Sequence, residues 1–497
     1  MNHTESMALD VLIIGAGLSG IGMAYKLKTE RPHDRFAIIE SRKDIGGTWD
    51  LFRYPGIRSD SDMYTFAYSF KPWKNKEFLG TGPRIKNYLK ELVSENRIEE
   101  HIRFEQRVTN AAWDSESAAW TITVARADGS EYQLQARFVV TCTGYYNYDK
   151  GYVPDFPGMD DFKGTIAHPQ HWPEDLDYAD KDVVVIGSGA TAVTVVPAMS
   201  EKAAHVTMLQ RSPTYIASVP SKDGLYAVLS KLLPSAVTNR IMRAKYIVLQ
   251  QLVYILSRRF PNAVRKFIRH QNAKALGGSA DVDVHFNPDY KPWDQRMCMV
   301  PNDDLFQSIR SGKADVVTDE VETFTESGIR LKSGKELKAD VIVPATGLDV
   351  QFWGGMSLQV DGEAVEASHL TNYKGMMFSQ MPNFVTIFGY TNAPWTLKAE
   401  LTYGYVVRLL DYMQKEGHAI VYPHLRDEGE RETLVDLKSG YVMRAAARMP
   451  KQGAAFPWRN KDLYVKDIFA IKHSHLDDQV LNFDDPRPLA EFHKQAG

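Results

Sequence analysis

The chain is predicted to be α/β, with two dinucleotide-binding (Rossmann-like) domains and a helical insertion in the second. Three observations predict this. A short apolar run, a Gly-rich turn and a helical pattern occur at residues 11–29 and again at 182–199. Each unit later passes through a hairpin pattern into an apolar strand ending in Thr-Gly, at Thr143-Gly144 and at Thr346-Gly347. Between the second turn and its closing strand lies a basic stretch, 224–280, with ten Lys or Arg and no Asp or Glu. Strand, turn, helix, strand, hairpin and strand therefore occur twice, the mark of a duplicated unit. At 497 residues the chain has room for two or three domains.

Residues 11–14 suit a buried parallel strand. Gly15-Ala16-Gly17-Leu18-Ser19-Gly20 follows and opens a helix to about residue 29. The first Gly permits a tight turn, the second admits a pyrophosphate to the backbone, and the third lets helix pack on strand. The helix N-terminus attracts the anion. A second strand, 36–39, ends in Glu40, 20 residues beyond Gly20. A carboxylate there accepts from a ribose 2′-hydroxyl and repels a 2′-phosphate, so this site suits FAD or NAD. Residues 84–96 read as a helix. Alternation over 120–125 and 132–137, around Asp128-Gly129, reads as a hairpin leading into the strand 138–144.

The second unit has a strand at 182–186, then Gly187-Ser188-Gly189-Ala190-Thr191-Ala192, with Ala in place of the third Gly. Its next strand, 205–209, ends in Gln210-Arg211-Ser212, where the first unit ends in Glu40. A guanidinium and a hydroxyl at that position suit a 2′-phosphate, which points to NADPH. Hairpin strands at 328–331 and 336–338 lead to the closing strand within 340–347. The expected division is 1–149 and 383–497 for the first nucleotide domain, 150–222 and 325–382 for the second, and 223–324 for the insertion. Two nucleotides of opposite ribose preference imply electron transfer from NADPH to a flavin.

Composition narrows the class. Hydrophobic residues make up 44% and charged residues 24%, as in an ordinary globular protein, and a net charge of −3 gives no reason to expect nucleic acid. The two cysteines, Cys142 and Cys298, form no C-x-x-C, which argues for a reducing compartment and against a dithiol flavoprotein reductase. The start, MNHTESMALD, lacks a signal-peptide pattern, and no run approaches the ~18–20 apolar residues of a membrane span. A cytoplasmic protein is expected, and no metal site is read. Within 224–280 the largely apolar core, 244–256, is expected to pack on the body of the protein. The other reading of this basic amphipathic stretch is weak peripheral contact with an anionic membrane.

Two further patterns carry a family resemblance. Between the Gly turns, Phe162-x-Gly164-x-x-x-His168-x-x-x-Trp172-Pro173 matches F-x-G-x-x-x-H-x-x-x-W-P. After the first turn, Gly47-Thr48-Trp49 is followed by Tyr54-Pro55-Gly56 and Asp60. With both in order between and around the turns, the chain resembles type I Baeyer–Villiger flavin monooxygenases. It is most like the short subgroup that includes the mycobacterial ethionamide-activating monooxygenase. The resemblance implies that Gly47, Thr48 and Trp49 lie against FAD, that Val108 lies by its adenine, and that Asp60 reaches the reactive face of the flavin. It also places Arg296 over the flavin, oriented by Asp60, and the loop 390–395 beside flavin and substrate. A guanidinium stays protonated at any working pH and suits the negative charge that dioxygen activation generates. Several members carry Lys before this Arg where this chain has Gln295, which shifts the expected 2′-phosphate contact toward Arg211. Phe162, Gly164, His168 and Trp172 are read as a structural hinge between the domains rather than as reacting groups.

The implied activity is FAD- and NADPH-dependent conversion of a ketone to an ester or lactone with dioxygen, with sulfide or thioamide oxygenation beside it. Two other readings stay open. A monooxygenase acting only on nitrogen or sulfur would use the same cofactors without needing Arg296, although Trp172-Pro173 argues against it. A non-oxygenating flavoprotein would bind both nucleotides and form no coupled product.

Overall fold

A computed structural model describes residues 8–426, 429–460 and 462–484. Two parallel five-strand runs of matching order, the first within a larger mixed sheet, form its frame. In the first, Leu9–Ile14 lies at the centre, with Phe36–Ile39 on one side and the end of Glu131–Thr141 on the other. Ile102–Arg103 and Phe384–Thr386 complete the parallel run at its two edges. Val11, Leu12 and Ile13 are fully buried, as a strand covered on both faces requires. Glu131–Thr141 has two roles that its sequence separates. Its first half alternates exposed and buried residues and pairs antiparallel with Ala119–Arg126. From Phe138 onward it is continuously buried and lies in the parallel part of the sheet.

The second sheet runs Ala314–Thr318, His205–Gln210, Asp182–Ile186, Val341–Pro344, Thr165–Ile166, all parallel. Its order repeats that of the first, so the sequence duplication is also a duplication of topology. Thr165–Ile166, inside the F-x-G-x-x-x-H-x-x-x-W-P segment, takes the edge position that Phe384–Thr386 takes in the first sheet. The fold is therefore the expected pair of Rossmann-like units.

Strand placement corrects the expected boundaries. The chain returns to the first sheet well before residue 383. Ser357–Val360 pairs in parallel with Asn110–Trp113, and Trp353 Nε1 donates to Thr386 Oγ1 at 2.9 Å. The crossing lies where Tyr146 bridges Val350: the Asn147 N–H donates to the Asp349 carbonyl at 2.8 Å and the Gln351 N–H to the Tyr145 carbonyl at 3.1 Å. Two antiparallel linker segments, joined at this bridge, thus connect the units. The insertion is also shorter than 223–324, because Ala314–Thr318 is an edge strand of the second sheet.

The insertion itself is helical over Gly224–Leu232, Ser235–Arg259 and Pro261–Leu276. The expectation that the apolar core of the second helix packs inward is not met. Its inward face turns polar partway along. Thr238, Met242 and Tyr246 are buried, but the next inward residue, Gln250, donates to Asp62 Oδ2 and to Thr65 Oγ1. Gln251 and Ser257 are buried as well, while the aliphatic residues between them face solvent.

Asp62 makes this contact sensitive to pH. It is 1% exposed and accepts from the Thr65 N–H at 3.0 Å and from Thr65 Oγ1 at 2.6 Å. Burial outweighs these bonds and pushes its carboxyl up to about 6. An unfolded Asp titrates near ~3.9, so the folded state holds this proton more tightly. Its contribution therefore favours folding as pH falls through about 6 toward ~4, and opposes folding above that window. Asp62→Asn is expected to be more stable than the parent at pH 8 by about 3 kcal/mol, with the gap narrowing to about 1 kcal/mol at pH 4.5. Thermal unfolding at the two pH values tests this, and a gap independent of pH would contradict it.

Candidate active site

The two Gly turns open onto one cleft of about 810 Å³ that also holds Arg296 and Asp60. The two helices at the turns, Leu18–Glu30 and Ala190–Met199, begin at Gly17 and Gly189, and neither has a side-chain cap on its first N–H groups. Uncapped donors at a positive helix end are a ready anion site. The bare backbone is sterically required. A Cβ on Gly20 would lie 1.9 Å from the Gly15 carbonyl oxygen, and one on Gly47 would lie 3.1 Å from Gly17 Cα. At Gly189 a Cβ would meet nothing within 4 Å, so that backbone faces open cleft. This donor set fits the pyrophosphates of two dinucleotides.

Around the first turn, Gly15, Gly17, Ser19, Glu40, Gly47, Thr48, Trp49 and Val108 line the cleft, while Gly20 sits behind it. Glu40 is buried. It accepts from the Ala16 N–H at 2.7 Å and from the Arg42 N–H at 2.8 Å, and burial raises its carboxyl above the usual range. Thr48 Oγ1 lies 3.4 Å from the Tyr148 hydroxyl, and Trp49 meets Phe66 edge-on. Ser19 Oγ accepts from Trp395 Nε1 at 2.8 Å, which ties the loop 390–395 to the first helix.

Around the second turn, Gly187, Ser188, Gly189, Ala190, Thr191, Arg211 and Ser212 line the cleft, and Ala192 is buried behind it. Ser188 Oγ donates to the Ser212 carbonyl at 3.0 Å. Asp319 and Glu320 line the cleft near Arg211, and Glu320 is engaged by Lys332. The turn Tyr54-Pro55-Gly56 reaches across from the first unit. Tyr54 hydrogen-bonds Thr191, and a Cβ on Gly56 would lie 2.7 Å from Ala198 Cβ.

Arg296 and Asp60, 236 residues apart in sequence, form a two-pronged ion pair. Nε lies 2.8 Å from Oδ2, and Nη2 donates to Oδ1 at 2.9 Å. Their side chains keep 34% and 27% exposure, so the pair is open to the cleft. The Asp60 charge raises the Arg296 pKa further and fixes its protonated state. Tyr145 and Tyr146 join hydroxyls at 2.8 Å, and both sense the Arg296 charge. The loop carrying Arg296 is anchored at Asp294, whose carbonyl accepts the Lys438 N–H at 2.8 Å and whose carboxylate pairs with Arg258 at 2.9 Å. Gln295 also lines the cleft.

The F-x-G-x-x-x-H-x-x-x-W-P residues stand outside the cleft lining. Phe162 packs in the second unit beside Phe324, and a Cβ on Gly164 would lie 2.4 Å from both Phe162 Cζ and the Asp340 carbonyl oxygen. His168 accepts the Gln170 N–H through Nδ1 at 3.1 Å, and burial lowers its pKa. Its ring lies so close to Gly151, in the linker, that a Cβ there would be 1.9 Å from it. Trp172 packs against the same buried core as Tyr146 and Tyr148.

Sequence reasoning missed the contribution of the tail. Tyr441 and Arg444, on the short helix Gly440–Ala445, line the cleft. Tyr441 hydrogen-bonds Tyr145 and senses Arg296, and the Arg444 guanidinium stacks 3.4 Å over the Tyr152 ring. A six-residue helix carries too little periodicity to be seen in advance. Arg58, two residues before Asp60, was missed too; it lines the cleft and donates to Asp304 at 2.6 Å.

Two nucleotide-type helix ends facing one cleft with a charged Arg–Asp pair between them define an oxidoreductase that works with two dinucleotides. The chain belongs to the flavin-binding monooxygenase-like family, whose model matches residues 8–393. It is 50% identical over 483 residues to the probable FAD-binding monooxygenase AlmA of Acinetobacter baylyi, covering 96% of each chain. It is also 50% identical over 476 residues to the FAD-containing monooxygenase EthA of Mycolicibacterium smegmatis, covering 95% of this chain and 96% of that one. Among solved structures, oxidized steroid monooxygenase bound to NADP superposes with a TM-score of 0.75 at 23% identity, over 96% of this chain and 99% of that one.

Proposed function

We propose that the chain is an FAD- and NADPH-dependent Baeyer–Villiger monooxygenase, converting ketones to esters or lactones with dioxygen and oxygenating sulfides or thioamides as a side activity. The observation that carries this reading is the Arg296–Asp60 pair, open to the cleft between two uncapped helix N-termini. FAD, when bound, supplies the two-electron exchange with NADPH and the activation of dioxygen. Gly15, Gly17 and the start of the first helix would hold its pyrophosphate. Glu40 disfavours a 2′-phosphate there, and Thr48, Trp49 and Val108 would wall the flavin nucleotide. Gly187 to Thr191 would hold the pyrophosphate of NADPH, with Arg211 and Ser212 at its 2′-phosphate.

Arg296 supplies a fixed positive charge where negative charge develops on the reacting oxygen. Such preorganised charge is the form of catalysis that a cleft with limited water amplifies most. Asp60 sets the orientation of the guanidinium through both prongs. Tyr145, Tyr146 and Tyr441 lie near enough to Arg296 to interact with its charge. The Phe162 to Trp172 segment packs against the linker and acts as a hinge support rather than as a reacting group.

The test is product analysis with purified enzyme, NADPH, isotopically labelled dioxygen, linear and cyclic ketones, and an aryl sulfide. One labelled oxygen in an ester or lactone is the expected outcome. Label confined to the sulfoxide, or hydrogen peroxide as the only product with every ketone, would refute the ketone-oxygenating reading.

A further inference from the structure

We infer that the helices over 224–276 form a docking surface for an anionic lipid bilayer, on which the protein lies without crossing it. Fourteen of the nineteen exposed large hydrophobic residues among the described residues fall between Leu225 and Phe267. They are spread over all three helices of the insertion, so they form a local patch rather than a scatter. Monomeric proteins in water rarely keep so large an apolar area uncovered.

The helix Ser235–Arg259 makes the case most clearly, because its polarity is inverted. Gln250 and Gln251 face the protein, with Gln250 bonded to Asp62. Val248, Leu252 and Ile255 face solvent at 63%, 49% and 50% exposure. With Val237 and Ile241 they follow spacings of three, four and seven residues, which place them on one stripe. A water-facing helix has the opposite arrangement. The outward face therefore needs an apolar partner.

Charge selects the partner. Residues 224–280 carry ten Lys or Arg and no Asp or Glu, in a chain whose net charge is −3. Arg243 pairs with Glu400 of the body, and Lys245 pairs within the insertion with Asp223, the cap of its first helix. Lys231, Arg240 and Lys266 are exposed and form no ion pair among the described residues. A second copy of the chain docking through this face would bring two acid-free basic segments together. An anionic bilayer meets both features, taking the aliphatic stripe into its interface and the cations at its headgroups. No helix among the described residues is long and apolar enough to cross a membrane, so this contact is peripheral.

The placement has a consequence for the cleft. On the same helix Tyr254 meets Trp293 edge-on at 5.7 Å, and Arg258 pairs with Asp294. These are the residues just before Gln295 and Arg296. The docking face thus lies on the outer side of the helix that braces the Arg296 loop, and it brings bilayer-dissolved apolar substrates up to the site.

Flotation of the purified full-length, FAD-loaded protein tests this, using phosphatidylcholine vesicles with and without phosphatidylglycerol. Recovery with the phosphatidylglycerol vesicles, falling with added salt and low on phosphatidylcholine alone, is expected. The combined change Val248→Ser, Leu252→Ser and Ile255→Ser is expected to lower that recovery about tenfold. NADPH oxidation with a short water-soluble ketone should not change. Lys231→Glu with Lys266→Glu, which leaves the apolar stripe intact, should also weaken flotation. Failure of the parent protein to float, or parent-like flotation of both variants, would overturn the proposal. So would sedimentation showing a dimer that the serine changes convert to a monomer, because the face would then be a self-interface.

Discussion

Arg296→Ala is expected to reduce ester formation by about 10²–10³-fold while reduction of the bound flavin by NADPH stays within about threefold of the parent. The two half-reactions separate because Arg296 touches neither uncapped helix end. Its contacts are Asp60, through both prongs, and the electrostatic environment of Tyr145, Tyr146 and Tyr441. Removing it deletes the cation paired with Asp60 and leaves that carboxylate, 27% exposed, with the Ser61 hydroxyl 3.4 Å from Oδ1 in place of a counter-ion. The field at the reacting oxygen then turns from favourable to unfavourable, so the loss should reach or exceed that of deleting one neutral oxyanion-hole donor. Lowering the pH should not restore activity, because the lost charge did not depend on pH in the working range. Arg296→Lys keeps the charge and loses the fork, so it should fall between parent and alanine. Anaerobic stopped-flow reduction and single-turnover product formation read the two halves separately. Undiminished ester formation in Arg296→Ala would remove it from the catalytic role.

How much of this was visible in the sequence depends on the range of the physics involved. The Gly turns were legible because their constraints are local: Gly20 must admit the Gly15 carbonyl, and the apolar runs beside it have only a buried strand available. Glu40 was legible for the same reason, lying at the end of the next strand. Arg296 and Asp60 are 236 residues apart, and no spacing rule joins them; the expectation that they meet came from resemblance alone. The early return to the first sheet went unseen because Ser357–Val360 is four residues long and its partner strand lies far back in the chain. The inverted helix was misread for another reason. Amphipathic periodicity identifies two faces without saying which one the protein takes. Gln250-Gln251 lies in the middle of the largely apolar run, yet Gln250 is the inward anchor, bonded to Asp62 and Thr65, and Gln251 is buried beside it in sequence.

Lys398→Met is expected to destabilise the protein by about 3–5 kcal/mol, the usual cost of leaving one partner of a buried ion pair behind. Lys398 is 1% exposed, and its ammonium lies 2.8 Å from Asp467 Oδ2. The same carboxylate oxygen accepts from the Tyr390 hydroxyl at 2.7 Å, and the ammonium also sits 5.6 Å from the centre of the Tyr390 ring. Nearby, burial pushes the Asp462 carboxyl up to about 6 and Lys398 acts against that rise, so the lysine serves two acids. These acids hold the loop that lines the cleft: Tyr390 bonds the Asp467 carboxylate and Thr391 the Asp462 carboxyl at 3.1 Å, while Asn392 donates to the Asp462 main-chain carbonyl at 3.0 Å. Methionine fills most of the lysine volume, so the loss should come from uncompensated charge rather than from a cavity. Removing both charges, by Lys398→Met with Asp467→Leu, should therefore be less destabilising than Lys398→Met alone, with the unpaired Tyr390 hydroxyl as the main residual cost. Melting temperatures of the parent, the single and the double variant decide between these origins. If the double variant melts below the single one, Lys398 acts by packing, and the loop that lines the cleft is held in place without its charge.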